Sequence, residues 1–148
     1  VSTGLVIKTA PGLRLNPRFP LSRRELGGLV GTLLAALDLT GAQLSLTLLD
    51  DPAMALLNAE HLGCQGPTNI LSFPEADPKR PQSLGALYLS VDTLSREAYL
   101  YGQNPRRHLA RLLAHGILHL AGHDHGPDME ALTDVAVAAA CPEAPAPA

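Results

Sequence analysis

Between residues 22 and 41 apolar side chains recur at Leu26, Leu29, Val30, Leu33, Leu34 and Leu37, the spacing that lines one face of an α-helix. Ser22 and Glu25 form an S-x-x-E capping box at its start, and Gly41 ends it. The period then changes to two: Leu44, Leu46 and Leu48 alternate with Ser45 and Thr47, which predicts a half-buried strand over Gln43 to Leu49. Asp51-Pro52 places an N-cap before a first-turn proline and predicts a helix to about Leu62, stopped by Gly63. Leu5 to Ile7, Thr68 to Phe73 and Leu84 to Val91 read as strands, and the polar, Pro-rich stretch Pro74 to Ser83 is long enough to act as a lid. Asp92 is expected to cap a short helix through Tyr101. Asn104-Pro105 opens a longer one that reaches Ala121 and stops at Gly122, and Asp128 to Ala140 predicts a last helix.

The order β, α, β, α, β, β, α, α, α, with no internal repeat and no linker, implies one α/β (α+β) domain, a mixed sheet of about four strands flanked by helices. Its 148 residues, 46% of them hydrophobic, suffice for one core over residues 1–140, and the Pro/Ala-rich residues 141–148 are expected to form a disordered tail. The charge-free apolar run Leu26 to Leu37 is shorter than the about 20 residues that a bilayer requires, so no membrane span is expected. Residues 1–8 carry no export pattern, and Cys64 and Cys141 lie far apart without a CxxC. Both thiols are therefore expected to be free in a cytoplasmic protein.

A net charge of −3 argues against a strongly basic nucleic-acid binder, and no DNA partner is expected. An aromatic content of 3%, with no Trp, argues against a broad base-stacking platform. The charge is nevertheless uneven. All eleven Lys and Arg lie at or before Arg111, and Arg14, Arg18, Arg23 and Arg24 form a local cluster that reads equally as a phosphate-binding face or a solvated helix entry.

Four of the six histidines fall in His115-Gly-Ile-Leu-His119-Leu-Ala-Gly-His123-Asp-His125. On a helix His115 and His119 stand one turn apart on one face, and Gly122 lets the chain turn back and bring His125 to the same point. Three neutral imidazoles with an open fourth position describe a catalytic zinc site, on a helix and the turn after it. His123 alternates away from His125 and reads as a neighbour. Asp124 is a candidate to hydrogen-bond a ligand imidazole, or else a loop-capping carboxylate. Metzincin peptidases share this spacing, but there the residue after the first His is the Glu that moves the proton, and here it is Gly116. His108, two turns before His115, could offer acid/base help from the cleft wall, or be an exposed helix-start histidine.

Residues 115 to 125 resemble the H-G-x-L-H-x-x-G-x-D-H motif of the bacterial YbeY family of rRNA maturation factors. Pro67-Thr-Asn-Ile-Leu-Ser-Phe-Pro74 is similar to that family's P-T-D-V-L-S-F-P strand, with Leu57-Asn58 before it and Leu84-Gly85 after it, so the resemblance covers roughly residues 45 to 132. It implies a zinc-dependent, single-strand-specific endoribonuclease acting in 16S rRNA 3′-end maturation and ribosome quality control. One Zn²⁺ would be held by His115, His119 and His125, with the 16S rRNA precursor and the small ribosomal subunit as partners.

Four positions depart from the family pattern: Leu62 where many members have an Arg, Asn69 and Ala86 where they have Asp, and His108 where they have Glu. Candidate catalytic groups are then Asn69, His108 and Asp124. Ser72 and Phe73 are candidates to line the substrate groove, with Lys79 and Arg80 as phosphate contacts. Two other classes compete: a metal-dependent peptidase or amide hydrolase, if Glu60 or Glu75 reaches the bound water, and a non-catalytic assembly factor whose metal only holds the fold.

Overall fold

The alternating leucines of the second strand form the centre of the sheet in the computed structural model, which describes residues 4–62 and 68–142, with Leu62 described by its backbone alone. Cys64, the Leu62 side chain and residues 143–148 lie outside the described part. The elements run β1 (Leu5–Thr9), α1 (Arg23–Ala36), β2 (Gln43–Leu49), α2 (Asp51–Leu62), β3 (Ile70–Pro74), β4 (Ser83–Ser90), α3 (Val91–Leu100), α4 (Pro105–Leu120) and α5 (Pro127–Ala140). The four strands are ordered β1-β2-β4-β3. β1, β2 and β4 are parallel, and β3 runs antiparallel to β4 at the edge, which makes the sheet mixed as expected.

Register explains the core. Ile7 pairs with Leu46, Leu46 with Leu87, and Leu87 with Ser72, so one row crosses the sheet on a single face. The next row but one runs Leu48, Leu89, Ile70. The leucines of both rows are fully buried together with Leu33 of α1 and Leu113 and Ile117 of α4, each such side chain contributing about 1.5–3 kcal/mol of apolar burial. α4 packs on β3 and β4, and α5 lies across α1 and α4. Phe73 faces the other way on β3, and its ring sits 5.3 Å from that of His61 in α2.

Helix ends follow local chemistry, with two corrections. Ser22 Oγ accepts from Glu25 N as the capping box requires, and Asn104 Oδ1 accepts from Arg107 N. α2, however, is capped by Asp50, whose Oδ1 accepts from Ala53 N, and α3 by Ser90, whose Oγ accepts from Thr93 N. The carboxylates expected to cap them are used between helices. Asp92 accepts from Asp51 N, while Asp51 accepts from the hydroxyls of Ser90 and Thr93 and pairs with Arg96. Burial raises the Asp51 pKa, but the hydrogen bonds from Thr93, Ser90 and Arg96 and the Arg96 charge outweigh it, so the group lies below its ordinary value of 3.8. Asp51→Ala leaves two inward hydroxyls without their acceptor and should destabilise the fold by about 2 kcal/mol in urea titration. Because the folded pKa is depressed, this stabilisation is complete above pH 3.8 and is lost as pH falls through the folded value.

Cys141 follows α5, where its N–H bonds the Val137 carbonyl and its side chain packs against the core as a free thiol. Cys141, expected as the first residue of a disordered tail, is therefore packed, and residues 143–148 lie outside the described part. No helix of the described residues is long and apolar enough to cross a membrane.

Candidate metal centre

α4 ends in a way that the sequence dictates. After Leu120 the chain caps at Ala121, and Gly122 takes φ +96°, a left-handed conformation that glycine adopts without a Cβ clash. Gly122 N bonds the His119 carbonyl and His123 N bonds that of Leu118, the paired closure of a Schellman motif. This reversal carries His125 back over the helix end. The rings of His115, His119 and His125 stand 4.6–5.0 Å apart between centroids, and one nitrogen from each lies within 4.8 Å of the others.

The donor set fits a divalent metal that accepts imidazole. His119 Nδ1 lies 3.1 Å from the His123 carbonyl oxygen, which can only accept, so Nδ1 carries the proton and Nε2 keeps its lone pair. That Nε2 is 3.1 Å from His115 Nε2. Two nitrogens bound tetrahedrally at about 2.0–2.1 Å from one Zn²⁺ stand about 3.3 Å apart, close to this separation. Partial burial, then the neighbouring His119 and His125, hold the His115 pKa below its ordinary 6.5, which favours the neutral ligating form.

The triad opens onto a cavity of about 670 Å³, walled on the far side by Asn69, Ser72 and other residues of the β3 segment. Gly116 explains how close this wall stands. A Cβ there would meet Ile70 Cδ1 and Leu87 Cδ2 at 2.9 Å, and Ser72 Oγ donates to the Gly116 carbonyl. A side chain at 116 would run into these atoms of the sheet, so the helix has no room there for a peptidase glutamate. Glu75 does not replace it, being tied to Ser83 and Arg80. Among the described residues lining the cavity, Asp124 is the sole carboxylate.

Of the other sequence candidates, the structure brings some to the triad and separates the rest. Asn69, Ser72 and Asp124 line its cavity. The bond expected of Asp124 to a ligand ring is made, for His119, by the His123 backbone. His108 stands back from the cavity, 11% exposed, and bonds Glu97 Oε1 at 3.2 Å. Glu97 also receives the Asn69 amide nitrogen on both oxygens, at 3.3 and 3.4 Å, and so joins two candidates that the sequence left unconnected. Phe73, one residue from Ser72, faces the opposite side of β3 and packs against His61 and Tyr88. Arg80 lines a separate cavity with Phe73, Glu75 and Ser83. None of residues 75–82 lines the triad's cavity, so the loop is a β3–β4 connection and not a lid over the histidines, and neither Lys79 nor Arg80 is on its rim. Arg23 donates to the Ile7 carbonyl, and Arg14, Arg18 and Arg24 likewise stay off that rim.

The comparisons agree with this geometry. The sequence profile described as Endoribonuclease YbeY matches residues 23–134. Endoribonuclease YbeY of Oleidesulfovibrio alaskensis is 45% identical over 88% of this chain and 88% of its own. The Nitratidesulfovibrio vulgaris protein of the same name is 45% identical over 83% of this chain and 87% of its own. In fold, the solution structure of TM1509 from Thermotoga maritima superposes with a TM-score of 0.64 at 21% identity, over 92% of this chain and 88% of that one. With the histidine motif, its glycine turn and the β3 wall all in place, the chain belongs to the Endoribonuclease YbeY family.

Proposed function

We propose that the protein is a zinc-dependent endoribonuclease that cuts single-stranded RNA in the 3′-end maturation of 16S rRNA and in ribosome quality control, working in the cytoplasm on the small subunit. The convergence of three neutral-capable imidazoles at the mouth of an open cavity carries this reading. The residues fit one Zn²⁺ held by His115, His119 and His125. When bound, such an ion lowers the pKa of a water and polarises a phosphoryl oxygen.

The chain's own groups do the rest. The His123 carbonyl fixes the His119 tautomer, and the Gly116–Ser72 contact sets the width of the groove. A carboxylate can only accept, so Glu97 fixes which end of the Asn69 amide it holds, and Asn69 Oδ1 remains as an acceptor at the cavity wall. Asp124 is the candidate to take a proton there. The open groove suits a flexible strand, whereas a stiff duplex cannot bend a phosphate down to the helix end.

Purified protein loaded with zinc should therefore cut a labelled unstructured RNA, spare the same sequence in a duplex, and stop on chelation. Equal cutting of both forms would overturn the single-strand claim. Zinc-loaded protein that cuts no RNA would favour an assembly factor with a structural metal.

A further inference from the structure

A second cavity, of about 350 Å³, opens on the other flank of the histidines, between α4 and α5. His115 and His125 line both cavities, so the metal site is a saddle between two grooves. The first holds no Lys or Arg among its described residues, which is a poor surface for a polyanion. The second holds Arg111, with Glu130 and Thr133.

Arg111 lies one helical turn before His115 on the same face of α4, a rise of about 6 Å. Its Nη2 stands 3.1 Å from Asp134 Oδ1 of α5, and the two side chains are 43% and 64% exposed. An ion pair this open is screened by water and exchanges readily, so it orients the guanidinium without consuming it. Thr133 spends its proton on the Met129 carbonyl. Glu130 is the opposing charge in the groove.

The geometry points to the α4–α5 groove as the second arm of the substrate site, in which Arg111 binds a backbone phosphate next to the one at the histidines, in exchange for its open pair with Asp134. This rests on the endoribonuclease reading. A guanidinium fork binds phosphate by two hydrogen bonds, and its place here supplies a cationic contact that the first groove lacks among its described residues. Arg111 touches substrate away from the reacting atoms, so it acts mainly on binding.

The test is steady-state cleavage of a fluorescein-labelled oligouridylate by zinc-loaded wild type, Arg111→Ala, Arg111→Lys, Asp134→Ala and Glu130→Gln over a range of salt. Arg111→Ala should raise KM about three- to tenfold, with a smaller change in kcat, and should flatten the salt dependence of kcat/KM by a little under one unit of slope. Arg111→Lys should restore the slope. Asp134→Ala removes the same ion pair but leaves the guanidinium, so its KM should sit at or below wild type, and Glu130→Gln should lower KM. If Arg111→Ala and Asp134→Ala raise KM alike, the pair is only a structural tie and the inference falls. A wild-type KM and salt slope in Arg111→Ala would also overturn it, while chelator-sensitive cleavage by wild type keeps the endoribonuclease reading standing. A wild type that does not cleave takes both readings down.

Discussion

His119→Ala is expected to lose bound metal and RNA cleavage together while the helix that carries it stays folded. Its ring is the one whose tautomer is fixed by the His123 carbonyl, with Nε2 turned to His115 Nε2 at 3.1 Å, so its removal leaves two of the three imidazoles that could hold the ion. Disturbing a group that merely supports a metal ligand already weakens binding or activity about 10- to 100-fold, so loss of the ligand should exceed a hundredfold. His123→Ala is the matched control: its carbonyl remains, and it should keep zinc. Metal content and cleavage measured side by side decide the matter, and zinc retained in full by His119→Ala would remove it from the site. The pH dependence has a definite sign. Ligation needs a neutral His115, whose pKa is held below the ordinary 6.5, so zinc and activity should persist at pH 6.5 and be lost as pH falls through that lowered value. In the metal-free protein the lowered His115 pKa means that the folded chain binds fewer protons there than the unfolded one. The apo-protein therefore also loses stability as pH drops from 6.5 through that value.

What the sequence revealed and what it hid divide along the range of the interactions. The leucine periods, the glycine turn at 122 and the H-x3-H pair are local, each fixed by a few neighbours, and they predicted the central strand, α4 and the convergence of three histidines that could hold a metal. Caps were missed by one or two residues because the carboxylates of Asp51 and Asp92 have better partners 39 to 42 residues away than in their own first turns. Strand alternation was the available signal that Phe73 and Ser72 cannot both face the histidines. Glu97 had no such signal, since it meets Asn69 and His108 from 28 and 11 residues away. Once seen, it makes the departures at 69 and 108 a set. An aspartate at 69 would face the Glu97 carboxylate as a like charge, whereas an amide donates to it, and a histidine at 108 meets the same carboxylate where a glutamate would repel it. The departure at Leu62 is the one whose setting lies outside the described residues.

Gly85→Ala should be the most damaging single change away from the histidines, and it separates the β3 wall from the metal. Gly85 pairs with Pro74 at the end of the β3–β4 ladder, with φ +131°, a conformation that L side chains rarely adopt. An added Cβ would overlap the Phe73 carbonyl oxygen and sit 2.9 Å from Glu75 N and 3.0 Å from Pro74 Cα. These are backbone atoms of the paired strand and have no rotamer with which to retreat. Strain and overlap together should destabilise the fold by about 3–5 kcal/mol, a shift that chemical denaturation resolves easily. Gly41→Ala isolates the strain, because Gly41 also has positive φ, +90°, but nothing within 4 Å of a new Cβ, and it should lose only about 1 kcal/mol. Where Gly85→Ala still folds in the cold, β3 must move away from β4, taking Ser72 from the Gly116 carbonyl and displacing the cavity wall. The histidines stand on α4 and the turn after it, so zinc should remain bound while kcat falls. A folded Gly85→Ala with wild-type turnover would show that the wall takes no part in catalysis and leave the reaction to the groups on the α4 side of the saddle.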